Sequence, residues 1–130
     1  MTITDDQWGL FLGSKQATLS CMSSEFGIHS VLVNFVPSPD RFRLFVLSRP
    51  SSRKVANIEQ HHVASLLVSV GTSYASLSCT AHVDRSEELR HSVEQMFSAR
   101  YGRPPRVADS RVILVLEPIR SHGQIQKDQR

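Results

Sequence analysis

The feature that most constrains this chain is how little sequence separates its strand-forming runs. Residues 64–70 and 74–84 are apolar-rich segments divided only by Gly71-Thr72-Ser73. That leaves room for a hairpin turn, not for the dozen or more residues a parallel crossover requires. The earlier runs follow the same rule. Residues 17–22 alternate small polar and apolar side chains, residues 23–27 turn, and residues 29–36 form a second strand broken by Pro37-Ser38-Pro39-Asp40. Residues 42–48 make a third strand, and residues 111–117 a last one that Pro118 closes. Six strands joined mostly by hairpins exclude a doubly wound sheet, and antiparallel pairing into a small, nearly closed barrel explains them best.

Three short helices punctuate the strands. Thr4 and Gln7 have the spacing of a capping box ahead of Trp8, Phe11 and Leu12, and Gly13 ends that helix. A second helix spans residues 53–61. Asp84 or Ser86 caps a third, whose Leu89, Val93, Met96 and Phe97 form one apolar stripe before Tyr101-Gly102. Several strands are apolar on both faces and should lie between other elements. The excess apolar surface should bury against a second copy of the chain.

Composition narrows the function. At 130 residues the chain is expected to be a single domain, 1–130, with residues 120–130 a polar, frayed tail. No apolar run reaches the ~20 residues of a membrane-spanning helix, and the first residues lack the basic and apolar regions of a secretory signal. A cytoplasmic protein with no membrane partner is the expectation. Cys21 and Cys79 match no metal-binding spacing and read as core fillers. The net charge of +3 is too small for a nucleic-acid surface. Arginine outnumbers lysine twelve to three, however, which suits a local anion site.

That site is legible in residues 48–58, Ser-Arg-Pro-Ser-Ser-Arg-Lys-Val-Ala-Asn-Ile. Hydroxyls, two adjacent cations and a helix start meet there, directly after an apolar strand. Free backbone N–H groups at the helix start would point at an anion, and Arg53 and Lys54 would neutralise it. A phosphate fits better than a carboxylate because donors can converge on it from several sides. The histidines carry less: His61-His62, His82 and His91 lack partners at metal spacing, so no metal site is expected. His29 opens the second strand, and Tyr74 and Tyr101 suit either packing or the mouth of a pocket.

The same residues carry a resemblance. Ala17-Thr18-Leu19-Ser20, the run from His29 to Phe35, Leu44 to Ser48, and Ser52-Arg53-Lys54-Val55-Ala56-Asn57-Ile58 are similar to the split-barrel flavoproteins of the pyridoxamine 5'-phosphate oxidase-like family. Ser52, Lys54, Asn57 and Ile58 match its Ser-x-Lys-x-x-Asn-hydrophobic helix start. Residues 63–68 and Thr80-Ala81-His82-Val83-Asp84 continue the agreement, which covers roughly residues 8–117.

The resemblance implies a mainly β, α+β fold: a six-stranded antiparallel split barrel with short flanking helices. It implies FMN as cofactor, or the deazaflavin F420 as in a related subgroup, held at a homodimer interface. Lys54 would bind the cofactor phosphate with Ser52, Arg53 and Ser48 beside it, and the backbone of Val31, Leu32 and Val33 would line the isoalloxazine ring. Asn57 would tie down the helix turn and Ile58 would be core. The implied function is flavin-dependent oxidation or reduction of a small organic substrate. The alternatives are an F420-dependent reductase, for which Arg49 and Arg53 could meet a longer anionic tail, or a non-catalytic dimer binding flavin or haem. The chain departs from the family pattern at Glu25 to Ile28, where an Asp-Gly-x-Pro is common, and at Leu32, Asn34 and Cys79.

Overall fold

The computed structural model describes residues 3–106 and 111–126. Its elements run α1 (Asp5–Gly13), β1 (Gln16–Ser23), β2 (Gly27–Asn34), β3 (Val36–Pro37), β4 (Leu44–Ser48), α2 (Arg53–His61), β5 (Val63–Val70), β6 (Ser73–Asp84), α3 (Glu87–Tyr101) and β7 (Val112–Gln124). The strands form one curled, open antiparallel sheet in the order β2-β1-β5-β6-β7-β4-β3, and the curl brings β2 near β4. The result is a half-barrel with three flanking helices among the described residues.

The sheet has seven strands, not the expected six. The extra strand arises at Phe35. Its ring is fully buried, and the Tyr101 hydroxyl accepts its N–H at 3.0 Å while lying 2.8 Å from its carbonyl oxygen. Those are the groups that would have continued the β2 ladder. The chain therefore leaves β1 after the Gln16–Asn34 pair, and Val36 and Pro37 pair with β4 instead.

The last strand differs as well. β7 does not stop at Pro118 but continues to Gln124 along β6, so residues 120–124 are strand and not tail. A register shift between Ser78 and Cys79 makes this possible: Pro118 faces Cys79 and Ile119 is the extra residue of a bulge. Bulges are where a proline without an N–H is tolerated in a sheet. Further along, Gly123 passes so close to β6 that a Cβ would lie 2.5 Å from the Tyr74 carbonyl oxygen.

The concave side of the sheet holds the main core. Leu19, Leu66, Leu77 and Leu114 are fully buried there, under Trp8 and Phe11 of α1 and Val55 and Ile58 of α2. The Thr4 capping box forms as the sequence indicates, but Leu12 is half exposed and Leu10 packs in its place. On the other side, α3 covers a smaller cluster of Val36, Phe45, Val93, Phe97, Ile113 and Val115. Ser86, not Asp84, is its N-cap. The Arg100 guanidinium donates to the carbonyls of Phe11, Leu12 and Ser14, locking α3 to the end of α1. No helix among the described residues is long and apolar enough to cross a membrane.

β4 is buried on both faces, as the sequence suggests, between these two clusters. β2 is not. Its outward side chains Ile28 and Leu32 are 72% and 68% exposed, and pairing places Met22 and Leu67 on the same face.

Candidate functional site

β4 delivers Ser48 to the point where the chain turns into α2. Ser48 Oγ donates to the Arg49 carbonyl at 3.1 Å and lies 2.7 Å from Ser52 Oγ, while Ser52 N donates to the same carbonyl. Ser52 is the N-cap of α2, its Oγ accepting from Val55 N at 3.4 Å. Each hydroxyl has one proton. Ser48 spends its proton on Arg49, and Ser52 spends its own on Ser48. The two serines therefore build the turn, and the donors left at the helix start are the backbone N–H groups of Arg53 and Lys54, which have no intrahelical acceptor.

Beside this turn lies a cleft of about 830 Å³, within the usual range for small-molecule and cofactor sites. One wall is Gln16, Leu32, Val33 and Asn34; another is β4 from Phe45 to Ser48 with Arg49, Ser51, Ser52 and Lys54. The third comes from the chain leaving α3: Phe97, Arg103, Pro105, Arg106 and Arg111. The β4–β7 pairing that sets Ser48 opposite Val112 places Arg111 next to Arg49 at the end of the ladder.

Five cations thus line one cleft: Arg49, Lys54, Arg103, Arg106 and Arg111. None forms an ion pair with a described residue; the pairs found involve Arg41, Arg53, His82, Arg85 and Arg90. Arg103 lies over the Phe97 ring at 5.3 Å. Arg111 Nε is buried without a hydrogen-bond partner among the described residues. Burial pulls the Arg111 pKa below the usual guanidinium value, with nearby Glu94 opposing the shift and Arg49 adding to it. The cleft is a strongly positive, partly apolar slot. Open helix-start N–H groups beside the unpaired Lys54 and Arg49 fit a phosphate.

Of the residues singled out in the sequence, Leu32, Val33, Ser48, Ser52 and Lys54 come together on this cleft. Val31 does not; it packs against the main core. Arg53 points elsewhere too: its guanidinium pairs with Glu25 at 3.2 Å and lies over the Phe26 ring at 5.0 Å, clamping the β1–β2 turn. Asn57 is buried, but its Nδ2 has no partner among the described residues, so that amide does not tie down the turn as the resemblance implies. Cys21 and Cys79 are both buried, which raises their thiol pKa values to about 11 and about 12. Tyr101 is structural. Tyr74 pairs with His122 at 2.9 Å, away from the cleft.

Sequence reasoning missed Arg103, Arg106 and Arg111. The available signal was weak: an Arg-Pro-Pro-Arg step after a helix and an arginine opening a strand.

No family model and no curated protein matches the chain. Solved structures do. The conserved hypothetical protein Rv2991 from Mycobacterium tuberculosis superposes with a TM-score of 0.81 at 15% identity, over 95% of this chain and 85% of that one. An F420 reductase gives 0.76 at 15% identity, over 92% and 98% of the two chains. A candidate pyridoxamine 5'-phosphate oxidase from Listeria innocua gives 0.73 at 15% identity, over 92% and 95%. The curled sheet, its helices and these superpositions agree: the chain has the split-barrel fold of the pyridoxamine 5'-phosphate oxidase-like flavoproteins, the fold its sequence resembles.

Proposed function

We propose that the protein is a flavin-dependent oxidoreductase that holds FMN in the cleft between β2, β4 and the start of α2 and acts on a small organic molecule. The observation that carries this reading is the unpaired Lys54 and Arg49 beside the open N–H groups of Arg53 and Lys54. A phosphate there would receive charge-assisted hydrogen bonds from side chains and backbone together. Leu32 on one wall and Leu47 on the other offer apolar surface for a flat ring. The backbone of β2 at its edge can supply hydrogen bonds to ring heteroatoms. Bound flavin supplies the hydride or electron chemistry itself, so the chain needs no acid–base constellation of its own.

The cleft lies beside the exposed apolar face of β2, where Ile28 and Leu32 meet solvent. A second copy covering that face would bury it and wall the cleft, so the active form in this reading is a homodimer. F420 is the second reading, supported by the likeness to an F420 reductase and by Arg49 standing beside Lys54. Arg53, committed to Glu25, adds nothing to it. Mass spectrometry of the molecule released on denaturation, with the visible spectrum of the purified protein, decides between them. FMN supports the first reading and F420 the second; a chain that takes up neither when each is supplied in excess overturns both.

A further inference from the structure

We infer that Arg106 and Arg111 form a second anion site, which receives the carboxylate or phosphate group of the small-molecule substrate. The inference rests on the flavin reading above and concerns a different wall of the cleft. A second cavity of about 470 Å³ lies along α3, lined by His91, Glu94, Gln95 and Ser98, and it shares Pro105, Arg106 and Arg111 with the cleft. The two arginines therefore stand where the cavities meet. A molecule seated in the second cavity with its anionic end on them has its remainder close to the cofactor cleft.

Charge matching supports this. A phosphate monoester carries about two negative charges near neutral pH. Lys54, Arg49 and the start of α2 already answer them. Arg106 and Arg111 are surplus to that need, yet neither is in an ion pair with a described residue. The Nε of Arg111 is buried without an acceptor among the described residues, a cost that an anion on the rest of its guanidinium would offset. Guanidinium geometry matches carboxylate and phosphate oxygens two at a time. The α3 wall has another character. His91 and Gln95 share a contact of 3.3 Å, Ser98 Oγ donates to the Glu94 backbone carbonyl, and the Glu94 carboxylate, near enough to Arg111 to favour its charge, offers an acceptor. The substrate class is thus a small polar molecule, anionic at one end and hydrogen-bonding, through hydroxyl or amine, at the other.

The test titrates inorganic phosphate and succinate separately into the FMN-loaded protein by calorimetry, with FMN affinity measured in parallel by fluorescence quenching. Arg106→Gln and Arg111→Gln should each weaken the anion that binds by about tenfold or more, the loss of one charge-assisted contact, and weaken FMN by clearly less, through the charge lost from the shared cleft alone. Phosphate binding points to a phosphorylated substrate and succinate binding to a carboxylate. Arg106 is exposed, so its variant should fold and report even where Arg111→Gln does not. Anion affinity unchanged in Arg106→Gln, or no anion bound by the wild type at millimolar concentration, overturns the inference. Loss of FMN or F420 affinity in step with anion affinity also overturns it, assigning the arginines to the cofactor. If the chain binds neither cofactor, the flavin reading fails, and the same titration on the cofactor-free chain judges the anion site alone.

Discussion

Arg53 and Lys54 are neighbours in sequence and both cationic, yet they belong to different regions of the molecule. Arg53 faces the β1–β2 turn, where Glu25 and Phe26 hold it. Lys54 faces the cleft, where no described carboxylate meets it and none of the four neighbouring cations forms an ion pair with a described residue, though Glu94 favours the charge of Arg111 and Arg103 rests on the Phe97 ring. Elsewhere on the surface Arg41 pairs with Asp5 and Arg85 with Glu59. A region that gathers like charges and leaves them unpaired works against folding, and a ligand is what offsets that. The contrast separates charges that hold the fold from charges that await an anion.

The separation can be broken experimentally, and the largest effect should come from the region that has no part in binding. Leu77→Ala empties a fully buried position on the concave face, and chemical denaturation should show a loss of about 2–5 kcal/mol. Its folded fraction should bind FMN as the wild type does; a lost cofactor site in a folded Leu77→Ala protein would show the two regions are not separable. Tyr101→Phe should cost about 1–3 kcal/mol, because it strips the hydroxyl that serves the Phe35 N–H and lies 2.8 Å from the carbonyls of Phe35 and Lys15.

The cysteines test the core by pH. With folded values of about 11 and about 12, both thiols stay protonated well above the pH at which they ionise in the unfolded chain. The folded state then binds more protons, so their contribution is intact below about pH 8.5 and stability falls as pH rises from there through the folded values. Replacing both by Ala should flatten that alkaline decline, lower stability at neutral pH by about 1–3 kcal/mol and leave cofactor binding in place. A double variant that folds but has lost redox activity contradicts the assignment of both as core fillers. The smallest effect belongs to Arg53→Ala. Fluorescence titration should show FMN affinity changed by less than about threefold, since an exposed ion pair contributes little even to stability. A loss as large as that of Lys54→Ala would mean the Glu25 pairing does not keep it out of the cleft.

Much of this was legible because it is local. The limits of α2 follow from Ser52 and the apolar spacing of Val55 and Ile58, and the hairpin from Gly71-Thr72. Lys54 and the two serines were legible as a group because they share one turn, in which Ser52 caps the helix and Ser48 holds the Arg49 carbonyl. What escaped depends on distant partners. The break at Phe35 is made by a hydroxyl 66 residues away, and no pattern around Phe35 announces it. Pro118 reads as a strand end unless one knows that a bulge lies beside Cys79. Arg111 joins the cleft because β7 pairs with β4, and the direction of the Arg53 side chain was decided by Glu25 and Phe26 on another hairpin.

The central claim is that the unpaired cations beside α2 bind a cofactor phosphate, and one comparison tests it most directly. FMN and F420 are titrated calorimetrically into cofactor-free wild type and Lys54→Ala at low and high salt. The cofactor that binds should lose about ten- to a hundredfold in affinity in Lys54→Ala, the worth of one charge-assisted hydrogen bond, while the variant's stability barely moves. Added salt should weaken the wild type more than the variant, which has already lost one ionic contact. Equal affinities for wild type and Lys54→Ala would place the anion elsewhere and contradict the account.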